Sequence, residues 1–485
     1  MTVIWQSAEA ALATDGVATR DWAATGVSID SRNLAAGDLF IAIRGPNTDG
    51  HLYVTNALKR GAAAAMVARD WAEGQAAAGD MPLLVVPDTD KGLNALARAA
   101  RERGEARIVA ITGSVGKTST KEALAKILSE QAPTTATLGN LNNQWGLPLS
   151  MARMPAESIY GVFELGMNHA GELTPLSKLL RPNVAIITTV ESVHLEFFES
   201  EEAIADAKGE IFAGMCGGSG AAVLNADNRH FERLRHMAKE AGIGRVFSFG
   251  AKPGADFHMI DWRVEDGGNL VEADLAGRRI RFRTGGAGRH WAMIGVSALG
   301  AAWLLGADLE KAAATLAEIR PPKGRGLQHR LRLPGGGEFT LIDESYNASP
   351  ASMRAAIAVL GATPTGPSGR RIAVLGDMLE LGGDSPQLHA GLAPDLEAEH
   401  VDMLFSCGRN MTELSAAVPS AMDALHTEAS DGLIGLLTET VRAGDVVTVK
   451  GSLGSRMAPV VEALLALHTA NGNGCGPSRI AGRQG

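Results

Sequence analysis

The chain has 485 residues, about three times a usual domain length of roughly 150, so two or three domains are expected, each able to bury its own core. Hydrophobic residues make up 45% and charged residues 20%, and 54 acids against 45 bases leave a formal charge of −9. That composition is globular and excludes a disordered chain; it also gives no sign of a nucleic-acid binder.

Three cysteines, Cys216, Cys407 and Cys475, are too few and too scattered for a disulfide framework or a zinc cluster, which points to a reducing compartment. The opening MTVIWQSAEA lacks the basic and apolar blocks of a signal peptide. The uncharged stretch 291–307 is shorter than the about 20 residues a bilayer needs and contains Gly295, Gly300 and Gly306, so it reads as a buried helix. A soluble, cytoplasmic monomer with no stable membrane insertion is expected.

In chain order, DLFIAI at 38–43 predicts a short strand; the polar turn GPNTDGH follows, then a helix through 65, and MPLLVVPD at 81–88 repeats the strand signal. This is a smaller N-terminal α/β domain over 1–104. RIVAIT at 107–112 is a buried strand that runs into the glycine loop GSVGKT, and 119–130 has the periodicity of a helix. Strand signals recur at 159–165, 184–190, 221–225 and 245–249 between helical stretches, as in a parallel sheet covered on both faces, giving a central domain over 105–320. Beyond the breakers PPKGRG at 321–326, strands at 339–343, 371–375, 403–406 and 445–450 outline a third α/β domain over 321–468. The tail 469–485 is Gly-rich and poor in apolar residues, hence expected to be disordered.

The chemistry starts at TGSVGKTST, 112–120. A glycine-rich turn from strand to helix lets the backbone N–H groups of Gly113, Ser114, Val115, Gly116 and the helix start at Lys117, Thr118 and Ser119 converge on a phosphate. Lys117 then reaches the terminal phosphates, and Thr118 offers a hydroxyl to Mg²⁺. The usual spacing has glycine where this chain has Ile111, so the loop is a shortened variant. Glu164 and His194 fall just past the ends of two strands of the same sheet, the edge at which ligands of open α/β sheets gather. Taken singly, Glu164 could cap a helix and His194 could be an ordinary loop histidine; beside Thr118 they make a metal set. Lys208, in AIADAKGEIF, reads from composition alone as a solvated helix lysine.

TGSVGKTSTKE at 112–122, NLNNQWGLP at 140–148, ELGMNHAGEL at 164–173, HLEFF at 194–198, AKGEIF at 207–212, DESYNASPASM at 343–353, LGDMLELG at 375–382 and KGS at 450–452 together resemble the Mur ligase family. The resemblance implies a P-loop central domain, a Rossmann-like C-terminal domain and ATP-driven amide-bond formation. In that reaction a substrate carboxylate attacks the γ-phosphate, and an amine displaces phosphate from the acyl phosphate. DSR at 30–32, GDLFIAIRG at 37–45, DGH at 49–51 and the DESYNASPASM run resemble the members that join D-alanyl-D-alanine to UDP-N-acetylmuramoyl-tripeptide, a step toward peptidoglycan.

By the same resemblance Lys117 would hold the β- and γ-phosphates of ATP, while Thr118, Glu164 and His194 would surround Mg²⁺. Lys208 would be carbamylated by CO₂, an anion that supports a second ion. His290 resembles a position near the adenine, Arg325 the arginine that meets the phosphates on domain closure, and Asp343, Tyr346 and Asn347 a nucleotide-facing turn. Ser31 and Arg32 resemble the segment that grips the uridine end, and Asn142 and Asn143 a substrate-binding run. Ile294, Thr189 and Glu191 depart from residues common in the family. Two other readings stand beside this one: a sibling ligase that adds a single amino acid to a UDP-muramyl peptide or a folate, and a nucleotide-binding regulator without ligation chemistry. The regulator has no need of Glu164, His194 and Lys208 together.

Overall fold

A computed structural model describes residues 2–76, 78–191, 198–215, 218–265 and 267–469. His194, Cys216, Cys475 and the tail 470–485 lie outside the described residues. The last helix, Ala458–Thr469, includes the residue at which the tail is expected to begin.

Three main sheets organise the chain, each with helices packed on it, in the expected α/β class. The first has five strands in the order Val17–Ala18, Leu83–Val86, Ala64–Ala68, Asp38–Ile41, Gly26–Ser28, parallel except for the first pair. The helix expected through 65 is a correction: it ends at Lys59, and Ala64–Ala68 is a fully buried inner strand. An alanine run carries little periodicity of either kind, so propensity favours helix while burial between two neighbouring strands decides for sheet.

The central sheet has nine strands in the order Arg278–Thr284, Gly268–Leu275, Phe257–Glu265, Arg245–Gly250, Ala221–Asn225, Val184–Ile187, Arg107–Thr112, Tyr160–Glu164, Thr134–Ala136. From Phe257–Glu265 onward the neighbours in this order pair parallel, and the two pairings before it are antiparallel. That antiparallel meander over 257–284 carries no sequence expectation. Its outer strands mix arginine and glutamate with apolar residues, and only the alternation in Gly268–Leu275 marks it as strand. The uncharged stretch forms the helix Arg289–Leu304, buried over most of its length. It shares one apolar cluster with Phe257 and Phe282 of the meander and with Leu124, Ile127 and Leu128 of the helix Lys117–Ser129. Ile294 belongs to that cluster.

The third sheet runs Leu327–Arg332, Glu338–Glu344, Val446–Lys450, Arg371–Gly376, Met403–Cys407, Asp423–Thr427, with only its first pair antiparallel. Both of its edge strands are mostly exposed or half-buried, so neither carries the apolar signal of its inner neighbours. Burial, and then Asp377, push the Cys407 thiol up to about 12, so this cysteine is a core residue and no nucleophile.

The three units meet through different contacts. Leu149 and Ala152, which follow the phosphate-loop helix, pack into the core of the N-terminal unit with Trp5, Leu39 and Leu93. Trp5 Nε1 donates to the Ala152 carbonyl at 2.8 Å, and Arg153 Nε donates to the Val27 carbonyl at 2.6 Å. On the other side, Ala287 and the half-buried Val264 of the central unit pack into the C-terminal core.

Candidate active site

The strand Arg107–Thr112 lies between Tyr160–Glu164 and Val184–Ile187, and the chain reverses its direction of sheet growth there. Such a switch point opens a crevice past the carboxyl ends of the strands. Glu164 pairs in register with Ile111, and Ile187 with Thr112, so the phosphate loop, Glu164 and Thr188 leave the sheet at one level.

The loop itself is shaped by glycine. Gly116 sits at φ +85 immediately before the helix, and Gly113 at φ +147. A Cβ on Gly113 would come within 1.9 Å of the Thr188 hydroxyl. Thr188 explains that closeness: its Oγ1 donates to the Val115 carbonyl at 2.6 Å, clamping the loop to the neighbouring strand end. Ser114 extends the clamp, its N–H donating to Thr189 O at 2.9 Å and its hydroxyl donating to Glu191 O at 3.1 Å. Lys117 is folded back, its ammonium donating to the Gly113 carbonyl at 2.6 Å. Desolvation lowers its pKa from the ordinary lysine value, Glu164 opposes that shift and Arg325 adds to it. Thr118 is half-buried beside it, and Ser119 is buried within the helix.

Glu164 is 1% exposed. One carboxylate oxygen accepts from Asn142 Nδ2 at 2.8 Å; the other, Oε2, meets no hydrogen-bond partner among the described residues. A buried carboxylate oxygen left over beside a phosphate loop is a hard oxygen donor for a divalent cation. Glu164 caps no helix: the start of Leu173–Leu180 is held by Glu210, which accepts from the Gly171 and Thr174 N–H groups. Lys208 is 2% exposed, which corrects its reading as a solvated lysine. Burial first, and the charge of Lys117 second, push its pKa well below the ordinary value, toward the neutral amine.

From the C-terminal unit, Arg325 lies over the Tyr346 ring, its Cζ 4.1 Å from the centroid. Its charge adds to the lowering of the Lys117 pKa. Asp343 is 0% exposed and holds this arrangement from behind: it accepts from Gly324 N at 2.9 Å, from Ser345 N at 3.1 Å and from Ser345 Oγ at 2.6 Å. It therefore fixes the loop that carries the arginine. Asn347 is exposed, and its carbonyl accepts from Lys450 at 3.0 Å. His290, at the start of its helix, is half-buried against the same unit; desolvation lowers its pKa, Glu344 opposes and Lys450 adds to the shift.

Other expected residues are not drawn into this cluster. Asn143 accepts from the Gly146 N–H at 2.9 Å and so starts the helix Gly146–Ala152. Ser31 is buried in the N-terminal unit, and Arg32, 86% exposed, forms a bidentate pair with Asp30 at 2.9 Å. His194 lies outside the described residues. Among the described residues no three His, Cys, Asp or Glu side chains gather as a metal site. Thr188 and Lys121 carry no sequence expectation as site residues, although Lys121 stands inside the run 112–122 and Thr188 inside the strand signal 184–190.

Family models match three stretches: "Mur ligase family, catalytic domain" over 23–103, "Mur ligase middle domain" over 111–302 and "Mur ligase, glutamate ligase domain" over 329–453. A UDP-N-acetylmuramoyl-tripeptide–D-alanyl-D-alanine ligase of Rickettsia prowazekii is 33% identical over 90% of this chain and 94% of its own. The Escherichia coli protein of the same name is 34% identical over 90% and 93%. The chain belongs to the Mur ligase family. Among solved structures, the Acinetobacter baumannii protein MurF matches this Mur ligase with a TM-score of 0.81 at 30% identity, covering 95% of this chain and 99% of that one. MurF of Thermotoga maritima, solved in complex with ADP, matches at 0.75 and 26% identity over 92% and 98%. In this Mur ligase Lys117 feels the charges of Glu164 and Arg325, and Lys208 that of Lys117, while Asn142 holds the Glu164 carboxylate and Thr188 holds the loop.

Proposed function

We propose that this Mur ligase joins D-alanyl-D-alanine to UDP-N-acetylmuramoyl-tripeptide at the expense of ATP, giving the UDP-N-acetylmuramoyl-pentapeptide precursor of peptidoglycan, and that it works as a cytoplasmic monomer. What supports the reaction class is the coupling of charges beside the phosphate loop, Glu164 and Arg325 acting on Lys117 and Lys117 on Lys208. The names of relatives aligned over 90% of the chain support the substrates. Among the described residues no helix is long and apolar enough to cross a membrane.

Amine and carboxylate do not condense in water, so the carboxylate must be activated. The tripeptide carboxylate attacks the γ-phosphorus, ADP leaves, and an acyl phosphate forms. The amine of the dipeptide then adds to the acyl carbon and expels inorganic phosphate, losing a proton. The protein's share is positioning and charge neutralisation. Loop N–H groups and Lys117 hold the β- and γ-phosphates, which requires Lys117 to swing from the Gly113 carbonyl to the nucleotide. Arg325 brings a second positive charge from the C-terminal unit. Thr118, Glu164 and His194 are the residues to hold Mg²⁺, which when bound neutralises phosphate charge. The unpartnered Oε2 of Glu164 fits that role. Lys208, buried with its amine pushed toward the neutral form, is suited to take up CO₂ as a carbamate, which would support a second ion. His290 is proposed beside the adenine, Tyr346 and Asn347 beside the nucleotide, and Ser31 and Arg32 beside the uridine end.

The test is phosphate release from ATP and Mg²⁺ with the UDP-tripeptide, with and without D-alanyl-D-alanine, while product mass is followed. Release that requires both substrates, with mass gain of one dipeptide, is expected. Release with a single amino acid instead would favour a sibling ligase, and ATP binding without any amine-dependent release would favour a regulator.

A further inference from the structure

One turn beyond Lys117 on the phosphate-loop helix, Lys121 is 0% exposed. A buried ammonium is costly unless it is hydrogen-bonded, and an apolar residue would fill the same space without that cost. Its partners show what the charge holds. Lys121 Nζ donates to the Thr137 carbonyl at 2.8 Å, to the Gly139 carbonyl at 3.4 Å and to Glu122 Oε1 at 2.5 Å. The first two belong to the segment that leaves the edge strand Thr134–Ala136.

That segment touches Glu164 from two sides. The Thr137 hydroxyl, 2% exposed as a residue, accepts from the Glu164 backbone N–H at 3.1 Å. Asn142 Nδ2 donates to Glu164 Oε1 at 2.8 Å, and the Asn142 carbonyl accepts from Gly166 N at 2.9 Å. The ammonium thus ties the phosphate-loop helix to the segment that aims the Glu164 carboxylate.

We propose that Lys121 is a positioning residue for the reaction: by fixing the Thr137 and Gly139 carbonyls to the phosphate-loop helix, it holds Thr137 and Asn142 where they present the free oxygen of Glu164 to the crevice. The proposal rests on the reading of Glu164 as a cation-holding residue. Lys121 itself does not reach the substrate.

The experiment compares the full-length Lys121→Met, Asn142→Ala and Glu164→Gln variants. Mn²⁺ binding in the presence of ADP is read by electron paramagnetic resonance, beside the kcat and KM of ATP-driven ligation. Because supports of metal ligands typically govern about 10- to 100-fold in metal affinity or activity, Lys121→Met is expected to weaken Mn²⁺ at least about tenfold and to lower kcat. The KM for ATP should stay within about twofold, since the loop and Lys117 are untouched. Asn142→Ala breaks the same support from its outer end and must reproduce the Mn²⁺ loss even if Lys121→Met does not fold. The double variant should lose no more than the worse single one. If Glu164→Gln weakens Mn²⁺ while both Lys121→Met and Asn142→Ala bind it normally, the positioning role is wrong. If Glu164→Gln itself binds Mn²⁺ normally, the reading of Glu164 is wrong and the proposal goes with it.

Discussion

Lys117 feels Glu164 and Arg325, and Lys208 feels Lys117, so each charge in the crevice is set by the others. Glu164→Gln keeps an oxygen for Asn142 but removes the charge. It should lower kcat by about 10²- to 10³-fold, the usual cost of one lost electrostatic partner, and raise the Mg²⁺ concentration for half-maximal rate. A Mg²⁺ titration of ligation in that variant checks this, and an unshifted half-point would refute it. Lys208 supports a prediction of the opposite kind for stability. Its folded-state pKa lies below the ordinary 10.5, so between the two values the unfolded chain binds the extra proton and stability rises with pH; below the folded value the penalty is constant. Lys208→Met removes the buried amine. In CO₂-depleted buffer near neutral pH it should melt higher, by on the order of 1 kcal/mol, while ligation is lost. The advantage should shrink as pH climbs toward the ordinary lysine value, and scanning calorimetry across that range decides; a variant that melts lower at neutral pH contradicts the burial penalty.

At the scale of single elements, the phosphate loop separates two glycines that sequence treats alike. At Gly116 the nearest atom to an added Cβ is the Thr188 Cβ at 3.8 Å, so alanine there meets only the left-handed backbone cost of about 1–2 kcal/mol. At Gly113 the same methyl collides with the Thr188 hydroxyl that clamps Val115. Gly113→Ala should therefore weaken ADP far more than Gly116→Ala, and calorimetric titration of both variants should show that order; equal losses would mean the Thr188 clamp is irrelevant. The loop was legible because its chemistry is local: strand, glycines, lysine and helix follow one another within a dozen residues. Thr188 was not, because its partner Val115 is 73 residues away in the chain. Asp343 illustrates the same limit, since the DESYN run marks it as important while only the fold shows its carboxylate spent on Gly324 and Ser345. Lys208 sits in a helix whose composition is polar, and burial by neighbouring elements decides its chemistry. The 257–284 meander escaped for a related reason, charged residues on its open face hiding the alternation of its buried one.

For the molecule as a whole, the unequal joints decide what can move. The N-terminal and central units share an apolar core through Leu149 and Ala152, sealed by Arg153 on the Val27 carbonyl. The C-terminal unit takes Ala287 and Val264 of the central unit into its core and also carries a charged loop, Arg325 braced on Tyr346 and backed by Asp343. If Arg325 acts on phosphates held by the central unit, as proposed, closure is coupled to chemistry, because its charge is then in place only when the units meet. Arg325→Ala should thus leave ADP affinity within a few-fold, since the phosphate loop is intact, but lower kcat by about 10²-fold or more. Arg325→Lys should restore only part of the loss: lysine keeps the charge but gives up the planar stacking on Tyr346 and the fork that grips two phosphate oxygens. Single-turnover phosphate release, measured beside equilibrium ADP binding, separates these effects. Equal losses of binding and rate in Arg325→Ala would place the arginine in the resting nucleotide site; a rate loss alone makes it the residue through which closure of the C-terminal unit is read by the reacting phosphate.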